Sequence, residues 1–204
     1  MINVRIQVSN LRGPFNGCVP GEMKATIISN ILCSFVLVLL ILISAQLHAQ
    51  TRDATEGFFQ QSFGDLSDEL QIAKDEGKKG VFVMFDDEDC PWCAKMKATV
   101  LNQVKVQDYY REYFRIMRVD KNGDALITDF KGNEVIEKEF ADKNRVRATP
   151  VMIFYDLEGN PVHRYTGAAR NVQEFMWLGE YVVGDYYKTQ RYPVYKREKK
   201  KAEM

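Results

Sequence analysis

Apolar and polar positions change rhythm along this chain, and each rhythm predicts an element. Leu66, Leu70 and Ala73 recur at helical spacing between Asp65 and Glu76, with Gly77 as a stop, which predicts a helix. Val81-Phe82-Val83-Met84-Phe85 is a short continuous apolar run, the pattern of a strand covered on both faces. A helix is expected from about Cys90 to Asn102, a second helical piece from Val106 to Tyr113, and a strand over Arg115 to Val119. Asn122-Gly123 and Lys131-Gly132-Asn133 are turn signals around Ala125 to Phe130, so a hairpin or loop excursion is expected there. Glu134 to Asn144 carries a mixed helical pattern. Val151 to Tyr155 reads as a strand, and Glu158-Gly159-Asn160 turns the chain into an antiparallel partner over Val162 to Tyr165. The clearest stripe is Val172, Phe175, Met176, Gly179, Val182, Val183 and Tyr186, preceded by Asn171 and Glu174 in capping-box spacing. The lead-in from 50 to 64 is irregular, with Phe58, Phe59 and Phe63 expected to pack, and residues 191–204 read as a basic, solvated tail.

Helix, strand, helix, strand, excursion, helix, strand, strand, helix is the order of an α/β domain. Parallel strands joined by helices and closed by a terminal hairpin imply a mixed central sheet with helices on both faces.

A different rhythm stands at the beginning. Lys24 precedes an apolar core from Ile31 to Ile43, and small residues follow to Ala49, the layout of an export signal. Met23 makes a more natural start than Met1, and cleavage after Ala49 would leave 155 of the 204 residues. The chain then divides into an extension with signal (1–49), one domain (50–190) and the tail (191–204). A periplasmic location is the expectation, with membrane anchoring the alternative if the signal stays uncleaved.

Charge excludes one class of partner. Formal net charge is zero, and of 28 basic and 28 acidic residues Arg5, Arg12, Lys24 and Glu22 leave with the signal, so 25 and 27 remain. No basic, aromatic-interleaved stripe suits nucleic acid.

Cysteine chemistry narrows the rest. Cys18 and Cys33 lie in the first 49 residues, so the exported domain keeps Cys90 and Cys93, as Cys-Pro-Trp-Cys after Asp86-Asp87-Glu88-Asp89. Structural zinc needs four ligands, and His163 stands alone over seventy residues away, so no metal is expected. Haem attachment needs His after the second cysteine, where Ala94 stands. Asp120-Lys121-Asn122-Gly123-Asp124 begins like a calcium loop, yet Ala125 and Lys131 occupy the positions that need Gly and Glu, so an Asn-Gly turn is the better account. A structural disulfide remains open, although so small a loop constrains the unfolded chain little. A redox couple fits better: at a helix start the free amides and dipole favour a thiolate, and Pro91 suits the first helical position.

The order V-F-V-M-F, C-P-W-C, then Arg147-Ala148-Thr149-Pro150 before V-M-I-F-Y, then Glu158-Gly159-Asn160 and Gly167, resembles the thioredoxin superfamily, most of all exported thioredoxin-like proteins of the SoxW type. The likeness runs over residues 58 to 190. It implies a thioredoxin-like fold and a thiol–disulfide oxidoreductase without cofactor. Cys90 would attack, Cys93 would resolve, and Pro91, Trp92, Thr149 and a cis Pro150 would hold the substrate strand. Six residues before Cys90 the family pattern has a buried aspartate that moves protons; here Met84 stands there, leaving Asp86, Glu88 or Lys95 as candidates.

Trp92 in place of a histidine between the cysteines, and four carboxylates read as a solvated lip, disfavour a thiolate and so stabilise the disulfide. That predicts a reductase of disulfide-bonded proteins, monomeric and recharged by a membrane-embedded electron donor. A disulfide oxidase or isomerase is the alternative, as is a non-catalytic binding module with the cysteines locked together.

Overall fold

The computed structural model describes residues 51–203. The export segment expected in residues 1–49 lies outside them, with Cys18 and Cys33. Among the described residues no helix is long and apolar enough to cross a membrane.

The expected α/β order is present. In chain order the elements are α1 (Ala54–Gly57), α2 (Leu66–Asp75), β1 (Gly80–Asp86), α3 (Pro91–Met96), α4 (Val104–Tyr113), β2 (Phe114–Asp120), β3 (Leu126–Thr128), β4 (Glu134–Ile136), α5 (Glu137–Lys143), β5 (Val151–Tyr155), β6 (Pro161–Thr166), α6 (Val172–Val183) and α7 (Tyr192–Ala202). The α3 helix widens into a π-helical stretch at Lys97–Leu101. The main sheet has the order β2-β1-β5-β6, with β1 parallel to β2 and antiparallel to β5, and β5 antiparallel to β6.

Alternation along these strands splits the apolar interior in two. Phe82, Met84, Phe114, Ile116, Met152 and Phe154 join Cys90, Cys93 and residues of α3, α4 and α6 on one side of the sheet. Val81, Val83, Phe85, Val151, Ile153 and Tyr155 pack with α2 and α5 on the other. The first side centres on aromatic rings: Tyr110 stacks on Phe175 at 4.3 Å and 2°, and its buried hydroxyl donates to the Phe175 carbonyl at 2.7 Å.

Helix ends follow their sequence signals. Asp65 caps α2 by accepting from the N–H groups of Ser67 and Asp68, and Asn171 caps α6 by accepting from Glu174. The excursion is the two-stranded β3–β4 hairpin, turned at Gly132 with φ 81° while the Asp129 carboxylate accepts from Lys131 and Asn133. At Asp120 the calcium-like sequence makes the expected turn, with its carboxylate accepting from the Asn122 N–H.

Three expectations need correction. Glu134 to Asn144 is not one helical segment: Glu134–Ile136 pairs with β3 before α5 begins. Phe58 and Phe59 are core residues, whereas Phe63 is fully exposed. The basic tail is helix α7, which buries Tyr192 and Tyr195 against α6 and pairs Lys196 with Glu174 and Lys199 with Glu180. The lysine count hid a three-residue tyrosine spacing that is an amphipathic signal.

Beneath α7 lies His163 on β6, packed against the rings of Phe154, Tyr181 and Tyr192, with no partner for its Nε2. Burial lowers its pKa from 6.5 to about 4. The unfolded chain therefore binds a proton that the folded chain refuses, so stability falls as pH drops from about 6.5 to about 4. Denaturant melts across that window should show His163→Phe losing about 2 kcal/mol less than the parent, a figure discounted for the ring's partial exposure.

Candidate functional site

The sheet register brings the sequence-predicted residues to one end of the domain. β1 runs toward that end and delivers Asp86, from which the three residues Asp87, Glu88 and Asp89 lead to Cys90. Because β5 is antiparallel with Phe85 opposite Val151, Pro150 emerges at the same end. Val151 pairs in turn with Thr166, so Gly167 and the residues after it emerge there too. The Gly167 N–H donates to the Pro150 carbonyl at 2.8 Å and ties these loops together. The Thr149–Pro150 bond is cis, as the resemblance implies.

Cys90 and Cys93 form a disulfide with Cα atoms 5.2 Å apart. Cys90 is extended and caps α3, its Sγ accepting from the Cys93 N–H at 3.1 Å, and Pro91 fills the first helical position where no N–H is needed. Both residues are largely enclosed, Cys93 at 1% exposure and Cys90 at 7%, so Cys90 is the more exposed of the two. Trp92 is 60% exposed beside them. Such a pair can exchange with an external thiol or disulfide, and the Cys93 amide is placed to stabilise charge on Cys90 once the bond opens.

The acidic lip is shorter than the sequence suggests. Asp86 does not belong to it: the side chain is fully buried, its two oxygens held by Arg118 Nε at 2.8 and 2.9 Å and by Lys97 Nζ at 2.5 Å. Position 86 falls on the face of β1 shared with Met84, and Arg118 on β2 faces the same way. Asp87, which accepts from Asn122, together with Glu88 and Asp89, makes the remaining lip. Met84 is buried and apolar, so β1 places no titratable side chain six residues before Cys90. Of the three proton-acceptor candidates, Asp86 is already engaged by two cations, and Lys95 lies over the Trp92 ring at 5.5 Å.

Sequence reading missed a groove on the other side of the cysteine pair. About 280 Å³ in volume, it is lined by Trp92, Lys95, Met96, Thr99 and Ala168 to Arg170. The first four recur at helical offsets of three, four and seven from Trp92, a signal that was present; their closure by the loop after β6 depends on the sheet order.

Comparison with known proteins agrees with this layout. The family model described as thioredoxin-like domain matches residues 66–183. No curated protein matches the sequence. Among solved structures, a thioredoxin-fold protein from Helicobacter pylori shares 17% identity over 75% of this chain and 98% of its own, with a TM-score of 0.57. A thioredoxin from Thermus thermophilus shares 24% identity over 62% and 88%, with a TM-score of 0.48.

Proposed function

We propose, from the premise that the chain belongs to the thioredoxin-like domain family, that it is an exported thiol–disulfide oxidoreductase working as a reductase of protein disulfides. The observation that carries this reading is the Cys90–Cys93 couple at a strand-to-helix junction, at the same sheet end as cis Pro150. In the reduced protein the Cys90 thiolate attacks one sulfur of a substrate disulfide, forming a mixed disulfide and releasing the other sulfur as a thiol. Cys93 then attacks Cys90 Sγ, which frees the second substrate thiol and closes the Cys90–Cys93 bond. Two electrons pass to the substrate, and two protons end on its thiols. Thr149 and Pro150 hold the substrate strand beside the cysteines, and Pro91 and Trp92 border it.

Direction follows from charge. Asp87, Glu88 and Asp89 disfavour an anion at Cys90, no histidine stands between the cysteines, and a less stable thiolate means a more stable disulfide. The couple is therefore expected nearer thioredoxin's roughly −270 mV than the roughly −120 mV of a strong oxidant. A SoxW-type role follows, as a monomer in the periplasm recharged by a membrane-embedded dithiol donor. Insulin reduction together with a glutathione redox titration tests the proposal; a couple above about −180 mV, or no reduction at all, overturns it.

Charge at the lip is separately testable. Glu88→Gln with Asp89→Asn should lower the Cys90 thiol pKa and raise the potential by less than about 30 mV, since both side chains are exposed and screened. Thiolate absorbance against pH and the same titration read both shifts.

A further inference from the structure

The site is electrically lopsided. Asp87 hydrogen-bonds to Asn122, which follows β2, so the acidic lip lies toward that edge of the sheet. The groove lies toward β6, because its far wall is the loop that leaves that strand. Its apolar lining is Trp92, Met96, Ala168 and Ala169, and its cations are Lys95 and Arg170. Neither cation has a carboxylate within ion-pairing distance among the described residues, while Lys97 and Arg118 nearby are both committed to Asp86. Two cations without a carboxylate partner, one of them over the Trp92 ring, line a groove on the helix that Cys90 caps, and they complement a chain segment that carries an acidic residue beside an apolar one.

We propose that this groove selects protein substrates with a carboxylate next to the cysteine under attack. The inference rests on the reductase reading above and adds the substrate class. Lys95 and Arg170 attract the carboxylate, Trp92 and Met96 cover the apolar neighbour, and the acidic lip repels the same segment docked the opposite way round. Orientation is thereby set along with preference.

Peptide disulfides identical except for Glu, Gln or Lys beside one cysteine test this with the reduced full-length protein. The expected order of kcat/KM is Glu above Gln above Lys, with Glu about tenfold over Lys at low salt and a contrast that collapses in 0.5 M NaCl. In the double variant Lys95→Glu, Arg170→Glu the order should invert. Equal rates for three peptides that are all reduced overturn the selectivity and leave the reductase reading intact. A Glu preference that persists in the double variant overturns the assignment to this groove. Failure to reduce any peptide, or insulin, overturns the reductase reading and this inference with it.

Discussion

Protein carrying Cys90→Ala should reduce insulin disulfides more than about a thousandfold more slowly than the parent, since enzymes accelerate by 10⁶ or more and the covalent path runs through this sulfur. Cys90 is the more exposed residue of the pair and its sulfur receives an N–H, which supports the attacking role proposed for it. Cys93→Ala should behave differently. Cys90 can still attack, but nothing resolves the mixed disulfide, so a covalent adduct accumulates that reducing agent releases. Non-reducing electrophoresis after mixing with an extract of exported proteins shows those adducts, and mass spectrometry names the substrates. A Cys90→Ala protein that keeps full activity, with an unchanged thermal melt, would end the assignment.

Asp86→Ala is expected to cost about 3 kcal/mol, because removing one member of a buried ionic cluster leaves its cations uncompensated. The low end of the range applies since Lys97 and Arg118 are each partly exposed and can turn toward water. In a domain of this size that corresponds to a melting temperature lower by roughly 6–12 °C. Glu88→Ala, two residues on and exposed, should leave the midpoint unchanged. Urea melts of the two variants separate the buried carboxylate from the lip. Equal midpoints would show that Asp86 is not held as described.

Most of the fold was legible because local pattern and burial agree. The run from Val81 to Phe85 is apolar throughout because helices cover both faces of β1, and the stripe of α6 is apolar because it faces the same core as the cysteines. Cys90, Cys93 and Pro150 were legible as residue types at characteristic positions; that they meet depends on β5 running antiparallel to β1, whereas the sequence pattern predicted only the antiparallel pairing of β5 with β6. What escaped was set by distant partners. Asp86 looks like its three acidic neighbours, and only Lys97 and Arg118, eleven and thirty-two residues away, make its burial affordable. In α7 the lysines mask two tyrosines whose burial needs α6 and β6 to be in place first. Phe63 shows the reverse error: a large apolar side chain was expected inside, yet it sits in the link to α2 and meets no core.

The partition of the core by the sheet gives anyone redesigning this protein a rule of parity. On β1 the even positions, 82, 84 and 86, belong to the chamber that encloses the cysteine pair, and the odd positions, 81, 83 and 85, to the chamber behind it. Substitutions at even positions change the dielectric and charge against which the sulfurs ionise, whereas those at odd positions act on the helices across the sheet. Redox tuning thus belongs to the even positions of this seven-residue strand, and at 86 it comes with the stability cost of the ionic cluster, whereas the odd positions change stability alone.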